Sequence, residues 1–177
     1  DPGVANRLSS LQGSTISDVM FTSGTTGVPK GVITTHSQNL RAYYDWSRFA
    51  GFKTAERYAI VNPFFHAFGY KAGWLTSLMH GLTIYPHRFL SAEPLLDHIE
   101  RERIEVLPGP PALYATMLAS PQMGRRDLSS LRLAITGAAS IPPVLIRRLF
   151  SDFGFERVST CYGMTECSAV ATVSRSD

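Results

Sequence analysis

Between Asp18 and Cys161, short apolar runs built on β-branched or aromatic residues alternate with longer stretches of helical periodicity, and few architectures accommodate that alternation. The runs are Val19-Phe21, Val32-Thr35, Tyr58-Val61, Leu82-Tyr85, Val106-Leu107, Leu131-Thr136 and Val158-Cys161. The helical stretches between them are Ser37-Arg48, Lys71-His80, Ala92-Arg103, Ala112-Ala119 and Pro142-Phe153. Runs this short and apolar read as strands, and helices interposed between strands are the usual crossovers of a parallel sheet. The expected fold class is therefore α/β, a mostly parallel sheet flanked by helices. Residues 1–15, rich in Ser, Gly, Asn and Gln, are expected to be an irregular N-terminal stub, and 16–177 to form the α/β unit. Ser91 is a candidate N-cap for the third helix, with Pro94 tolerated in its first turn.

Composition removes several alternatives. With 44% hydrophobic and 11% aromatic residues over 177 positions, the chain can build a packed core and is not disordered. The longest uncharged run, Val106-Gly124, is broken by Pro108, Pro110, Pro111 and Pro121, so no membrane-spanning helix is expected. The chain opens Asp1-Pro2-Gly3 without an initiator Met or a secretory pattern, which reads as an excised segment. Two cysteines, Cys161 and Cys167, form neither a disulfide framework nor a zinc spacing, so a reducing cytoplasm is the default compartment. The net charge of +3 is dispersed rather than striped, which excludes a nucleic-acid surface. Lysine is rare, only Lys30, Lys53 and Lys71. Lys71, directly after Tyr70, is expected at the surface start of a helix, with contact to an oxygenated substrate as the alternative.

In open parallel sheets, ligands sit beyond the carboxyl ends of the strands. Three such exits carry unusual sequence. The first, Thr22-Ser23-Gly24-Thr25-Thr26-Gly27-Val28-Pro29-Lys30-Gly31, gathers hydroxyls, glycines and one lysine in a turn. Backbone N–H groups freed by glycine, hydroxyl donors and a mobile ammonium suit phosphate oxygens. Pro29 and Gly31 around the lysine exclude a Walker loop, and a solvated Ser/Thr/Gly hairpin turn fits the same composition. The second exit, Asn62-Pro63-Phe64-Phe65-His66-Ala67-Phe68-Gly69-Tyr70, sets one histidine among aromatic rings, as either an apolar pocket with a polar handle or a buried core cluster. The third, Cys161-Tyr162-Gly163-Met164-Thr165-Glu166, offers a ring for stacking, a hydroxyl and a carboxylate, or an ordinary strand-to-loop junction. Upstream of it, Thr136-Gly137-Ala138-Ala139-Ser140 ends a strand in small residues.

Taken in order, these motifs resemble those of the adenylate-forming superfamily, which includes acyl-CoA synthetases, luciferases and the adenylation domains of peptide synthetases. The resemblance spans about Asp18 to Cys167 and implies a subdomain of the large N-terminal domain of such an enzyme. Asn62-Pro63-Phe64-Phe65-His66 and Leu107-Pro108-Gly109-Pro110-Pro111 are most similar to a fatty-acid–CoA ligase of actinobacterial type. The implied activity is that of an acid–thiol ligase in lipid metabolism, with ATP, Mg2+ and coenzyme A as cofactor and co-substrates and a small-molecule carboxylic acid as partner.

The resemblance also implies roles. Thr22, Ser23, Gly24, Thr25, Thr26, Gly27 and Lys30 would hold the β- and γ-phosphates of ATP. Gly137, Ala138 and Ala139 would line the base, with Tyr162 stacked on it and Gly163 and Met164 beside it. Thr165 would bind the α-phosphate and Glu166 the magnesium. His66 would stand by the substrate carboxylate, in a pocket walled by Phe68, Tyr70, Gly73, Trp74 and Gly109. A carboxylate attacking phosphorus is already ionised, so positioning, donors and a metal suffice without a general base. The family's later pieces include a ribose-binding aspartate, a hinge and a C-terminal domain with a lysine essential for adenylation. None of the three lysines here has that context, so this stretch alone is expected to be inactive. Alternatives are an aryl-CoA or amino-acid-activating ligase, and a non-catalytic nucleotide-binding module. The lack of an acid in Pro63-Lys71 speaks against an amino-acid substrate.

Overall fold

The computed structural model describes residues 1–23, 27–87 and 91–175. It opens with helix α1 (Pro2–Ser10), followed by strands β1 (Ile16–Thr22) and β2 (Lys30–Thr35) and helix α2 (His36–Ala50). Strand β3 (Arg57–Ile60) leads into a π-helical segment (Phe68–Leu75) continued by α3 (Thr76–His80). Then come β4 (Thr83–Pro86), α4 (Ala92–Glu102), β5 (Val106–Pro108), α5 (Pro111–Ala119), β6 (Leu133–Gly137), α6 (Pro143–Ser151), β7 (Arg157–Tyr162), a 3-10 turn (Thr165–Cys167) and β8 (Thr172–Val173).

Strands β3 to β8 form one sheet in the order β4-β3-β5-β6-β7-β8, parallel throughout except for the antiparallel edge strand β8. The α/β expectation holds. Alternate residues of the central strands feed two cores, as the period of two requires. Ala59, Leu107 and Ala134 face α4, α5 and α6, where Leu96, Ile99, Tyr114, Met117 and Leu149 are wholly buried. Tyr58, Ile60, Val106, Leu133 and Ile135 face the other way, onto Tyr43, Trp46 and Ala50 of α2 and Ala72 of the π segment.

Four features depart from the sequence reading. The stretch 2–10 is a helix rather than irregular, because the Asp1 carboxylate accepts the Gly3 N–H at 2.7 Å and Pro2 stands at the first helical position, although no residue of α1 is buried. Strands β1 and β2 do not join the parallel sheet but pair antiparallel as a separate hairpin, Thr22 opposite Lys30, so the first motif is a hairpin tip. The two-residue strand β8 carries too little apolar periodicity to be seen in the sequence. The helix expected over Lys71-His80 begins three residues earlier, at Phe68, as a π-helix. That earlier start turns Lys71 inward, and it is fully buried rather than at the surface. Ser91 occupies the N-cap position of α4 without a side-chain capping bond, and Pro94 lies in the first turn.

Candidate active site

The carboxyl ends of β3, β5, β6 and β7 open onto one cavity of about 220 Å³. Asn62, His66 and Phe68 come from the β3 exit, Gly109 and Pro110 from β5, Ile135 to Ala138 from β6, and Cys161 and Gly163 to Thr165 from β7, with Ala169 closing the wall. Four adjacent parallel strands ending at one level produce such a crevice, as the sheet rule predicts. A wider groove of about 720 Å³ adjoins it, lined by Ala138, Ala139, Ile141, Thr160 to Gly163 and Thr172 to Ser174. Ala138, Cys161 and Gly163 belong to both. The Tyr162 ring on the groove side is 62% exposed, presenting a free face for stacking.

The β6 exit needs glycine. A Cβ on Gly137 would stand 2.3 Å from the Cys161 carbonyl oxygen and 2.9 Å from its sulfur, so the β6–β7 ladder closes only over a hydrogen. The next residue, Ala138, sits at φ 65°, Ala169 of the cavity wall at 70° and its buried neighbour Ser168 at 57°. Left-handed backbone at residues with a Cβ costs about 1–2 kcal/mol each and persists where the surroundings over-determine it. Both walls of the cavity are therefore held rigidly.

His66 is exposed, and its Nδ1 accepts the Phe68 N–H at 3.1 Å. With Nδ1 accepting, the neutral ring carries its proton on Nε2, which becomes the donor. Thr165 lines the cavity at the start of the 3-10 turn, and the exposed Glu166 follows it with no ion-pair partner among the described residues. Lys30 is likewise exposed, at the start of β2 opposite Thr22, and Gly27 sits at φ 81°. Gly24, Thr25 and Thr26 lie outside the described residues. Among the described residues no three His, Cys, Asp or Glu side chains form a metal-binding group.

The structure thus brings His66, Phe68, Gly109, Gly137, Ala138, Gly163, Met164 and Thr165 to one cavity, and Ala139 and Tyr162 to the adjoining groove. Neither the cavity nor the groove is lined by Thr22, Ser23, Gly27, Lys30 or Glu166, nor by Tyr70, Gly73 or Trp74. Gly73 is buried against Ile60, while Tyr70 and Trp74 pack on each other with ring centroids 5.2 Å apart. Sequence reasoning passes over Asn62, Pro110, Ile135, Thr136 and Cys161 as site residues, although each adjoins a motif at a strand end, which is the available signal. Ala169 has none, because its left-handed backbone is a product of packing. The Cys161 thiol is pushed up to about 11 by burial, which makes it a wall and not a nucleophile.

Behind the cavity lies a polar cluster that the motifs do not mark. Lys71 Nζ stands 3.2 Å from Asp18 Oδ1 and donates to Thr34 Oγ1 at 3.2 Å. Asn39 Nδ2 donates to Asp18 Oδ2 at 2.8 Å and to Thr34 Oγ1 at 3.1 Å, and Asn39 Oδ1 accepts Ser168 Oγ–H at 3.0 Å. Tyr43 donates its hydroxyl to the Ser168 carbonyl at 2.6 Å. Burial pulls the Asp18 carboxyl upward, but hydrogen bonds from Thr34 and Lys71, the Lys71 charge and Asn39 outweigh it and leave it below its ordinary value.

Comparison with known proteins fits this geometry. A family model described as AMP-binding enzyme matches residues 5–177. The chain is 45% identical over 172 residues to 3-[(3aS,4S,7aS)-7a-methyl-1,5-dioxo-octahydro-1H-inden-4-yl]propanoyl:CoA ligase of Mycobacterium tuberculosis, covering 97% of this chain and 34% of that protein. It is 43% identical to the ligase of the same name from Rhodococcus jostii, covering 97% of this chain and 33% of that protein. Among solved structures, the inhibitor-bound N-terminal domain of FACL13 from Mycobacterium tuberculosis superposes with a TM-score of 0.85 at 28% identity, over 99% of this chain and 46% of that one. O-succinylbenzoate coenzyme A synthetase (MenE) from Bacillus subtilis, in complex with ATP and magnesium ion, superposes with a TM-score of 0.80 at 27% identity, over 93% of this chain and 34% of that one. The chain spans about a third of the length of the curated relatives it matches.

Proposed function

The chain belongs to the AMP-binding enzyme family, and on that footing we propose that it is the central nucleotide- and acid-binding part of a cytoplasmic, AMP-forming carboxylic acid–CoA ligase. One observation carries the reading. The carboxyl ends of β3 and β5, with His66 and Gly109, and those of β6 and β7, with Gly137 and Thr165, lie side by side in the sheet and line a single cavity. A carboxylate held on one side therefore meets a nucleotide held on the other.

In this mechanism the Nε2–H of His66 donates to one oxygen of the substrate carboxylate and turns the other toward phosphorus. Phe68 and Gly109 flank the acyl chain. Tyr162 stacks on adenine in the groove, with Ala138 and Ala139 along its edge, and the Thr165 hydroxyl donates to an α-phosphate oxygen. Lys30 offsets the charge of the departing pyrophosphate, while the hydroxyls of Thr22, Ser23, Thr25 and Thr26 and the backbone N–H groups of Gly24 and Gly27 donate to its oxygens. The carboxylate oxygen bonds to the α-phosphorus as the bond to pyrophosphate breaks, giving an acyl-adenylate, and the thiol of coenzyme A then displaces AMP. Glu166 suits magnesium, since it is exposed and free of ion pairs among the described residues and this ion is held by one or two carboxylates plus nucleotide phosphates. Bound there, the ion would offset charge on the phosphates. The chain's own donors supply positioning, the larger part of catalysis where no proton must be moved.

The expected substrate is a fatty-acyl or related carboxylic acid. The 45% and 43% identity to two ligases named for a fused-ring propanoyl group favours, as a second reading, a compact cyclic acid. A screen of acids of graded chain length and ring content by ATP–pyrophosphate exchange, on the enzyme that carries this stretch in full, separates the two. The 177-residue chain alone is expected to give no carboxylate-dependent exchange, and measurable exchange overturns that expectation. Glu166→Gln is expected to abolish magnesium-dependent ATP binding. Binding indifferent to the substitution would instead favour a non-catalytic nucleotide-binding module.

A further inference from the structure

The Lys71 cluster is absorbed by none of the steps above, although it joins three of the segments they use: the hairpin, the His66 segment and the 3-10 turn. Asp18 and Thr34 face each other across the hairpin whose tip carries Thr22 and Lys30. Lys71 lies in the π segment five residues beyond His66, and the His66 carbonyl accepts the Tyr70 N–H at 2.9 Å. Ser168 ends the 3-10 turn that carries Thr165 and Glu166. Asn39 on α2 ties the hairpin, through Asp18 and Thr34, to the 3-10 turn, through Ser168. An ammonium with no solvent exposure is tolerable only when paired and hydrogen-bonded, so its partners cannot shift without leaving a charge unmet. Hydrogen bonds to ionised groups are also shorter and stronger than those between neutral groups.

We propose that Lys71 is a positioning residue which, through its contacts with Asp18 and Thr34, sets the distance between the phosphate-binding hairpin and the His66 segment that holds the carboxylate. The proposal rests on the ligase reading. Acyl adenylation needs both segments at once, because the carboxylate must lie in line with the bond to pyrophosphate. Thioester formation from a preformed acyl-adenylate has no β- or γ-phosphate to hold and does not use the hairpin tip. Lys71 thus acts on one half-reaction and not on the other, a split that a general loss of stability does not produce.

The test is made on the enzyme that carries this stretch in full, with the double variant Asp18→Asn/Lys71→Met, which removes both charges together and leaves neither buried alone. Thr34→Val serves as a milder second variant. Adenylation is read by ATP–pyrophosphate exchange, and thioester formation by release of AMP from supplied acyl-adenylate and coenzyme A. Displacement of reacting groups by about 1 Å costs roughly 100-fold, so exchange is expected to fall by about that factor in kcat for the double variant. It should fall less for Thr34→Val, while thioester formation from supplied acyl-adenylate stays within about twofold. A parallel fall of both half-reactions overturns the proposal by assigning the cluster a purely structural role, and so does unchanged exchange. Absence of exchange in the unsubstituted enzyme would refute the ligase reading itself.

Discussion

Replacing Gly137 by alanine tests the rigidity of the cavity at its tightest point. The added Cβ meets the Cys161 carbonyl oxygen at 2.3 Å, whereas ordinary contact begins at 3.4 Å, so β6 and β7 must part by about 1.1 Å at this pair. The obstacle is backbone, which no rotamer can relieve. Overpacking of this kind costs about 1–3 kcal/mol, and loss of the terminal ladder hydrogen bond adds about 1. The total of about 2–4 kcal/mol corresponds to a melting temperature lower by about 5–15 °C for a chain of this size. The same displacement moves Ala138 and Thr136, both in the cavity wall, so affinity for ATP or AMP should fall with stability. Thermal denaturation followed by circular dichroism, with nucleotide titration by calorimetry, measures both. Gly124→Ala is the internal control, because nothing lies within 4 Å of the point its Cβ would occupy and its backbone is not left-handed. Its stability is expected to hold or rise by up to about 1 kcal/mol. Equal melting temperatures for the two variants would refute the close-approach argument.

Two further outcomes follow from groups away from the cavity. His87 Nε2 and His98 Nδ1 lie 2.9 Å apart, and burial, followed by the neighbouring His98, lowers His87 to about 4. Burial also lowers His98, followed by the Arg101 charge, against the opposing Glu102. Histidines depressed in the folded state take up more protons when unfolded. Their contribution is therefore complete above about pH 6.5 and lost as pH falls toward 4, on the order of 1–2 kcal/mol after solvent screening. Urea midpoints at about pH 7.5 and 5 should differ in that direction, the difference shrinking in His98→Gln. Tyr114, with no solvent exposure, donates its hydroxyl toward the Leu107 and Ile135 carbonyls at 2.5 and 3.2 Å. Tyr114→Phe is expected to cost about 1–3 kcal/mol in denaturant titration, since the Leu107 carbonyl loses this donor, while the Ile135 carbonyl keeps the Gly109 N–H at 2.9 Å.

Much of this is legible along the chain because it is local. The apolar runs Val106-Leu107 and Leu131-Thr136 mark the strands Val106–Pro108 and Leu133–Gly137, buried on both faces, and Ser37-Arg48 marks the helix His36–Ala50 that the Thr35 capping box starts. Their alternation entails a parallel sheet, and a parallel sheet places Gly137, Tyr162 and His66 at strand exits where ligands bind. The hairpin of β1 and β2 reads as two strands but not as a separate sheet, since pairing partners depend on chain far from the strand in question. The helix at Pro2–Ser10 escapes a search for periodicity because its signal is a cap and a proline rather than a repeating apolar face.

The sequence by itself determined the fold class and the chemistry available at each strand exit, because propensity, periodicity and motif spacing act over a few residues. Tertiary structure alone decided which exits share a cavity, why Tyr70, Gly73 and Trp74 stand outside it, and where Lys71 goes. A lysine after an aromatic run looks solvated when only its neighbours in the chain are considered. Asp18 lies 53 residues earlier, Thr34 37 residues earlier, and only the packed fold brings them to 3.2 Å. Burial of a charge is a property of what surrounds it, and what surrounds Lys71 is drawn from the hairpin and the helix next to it.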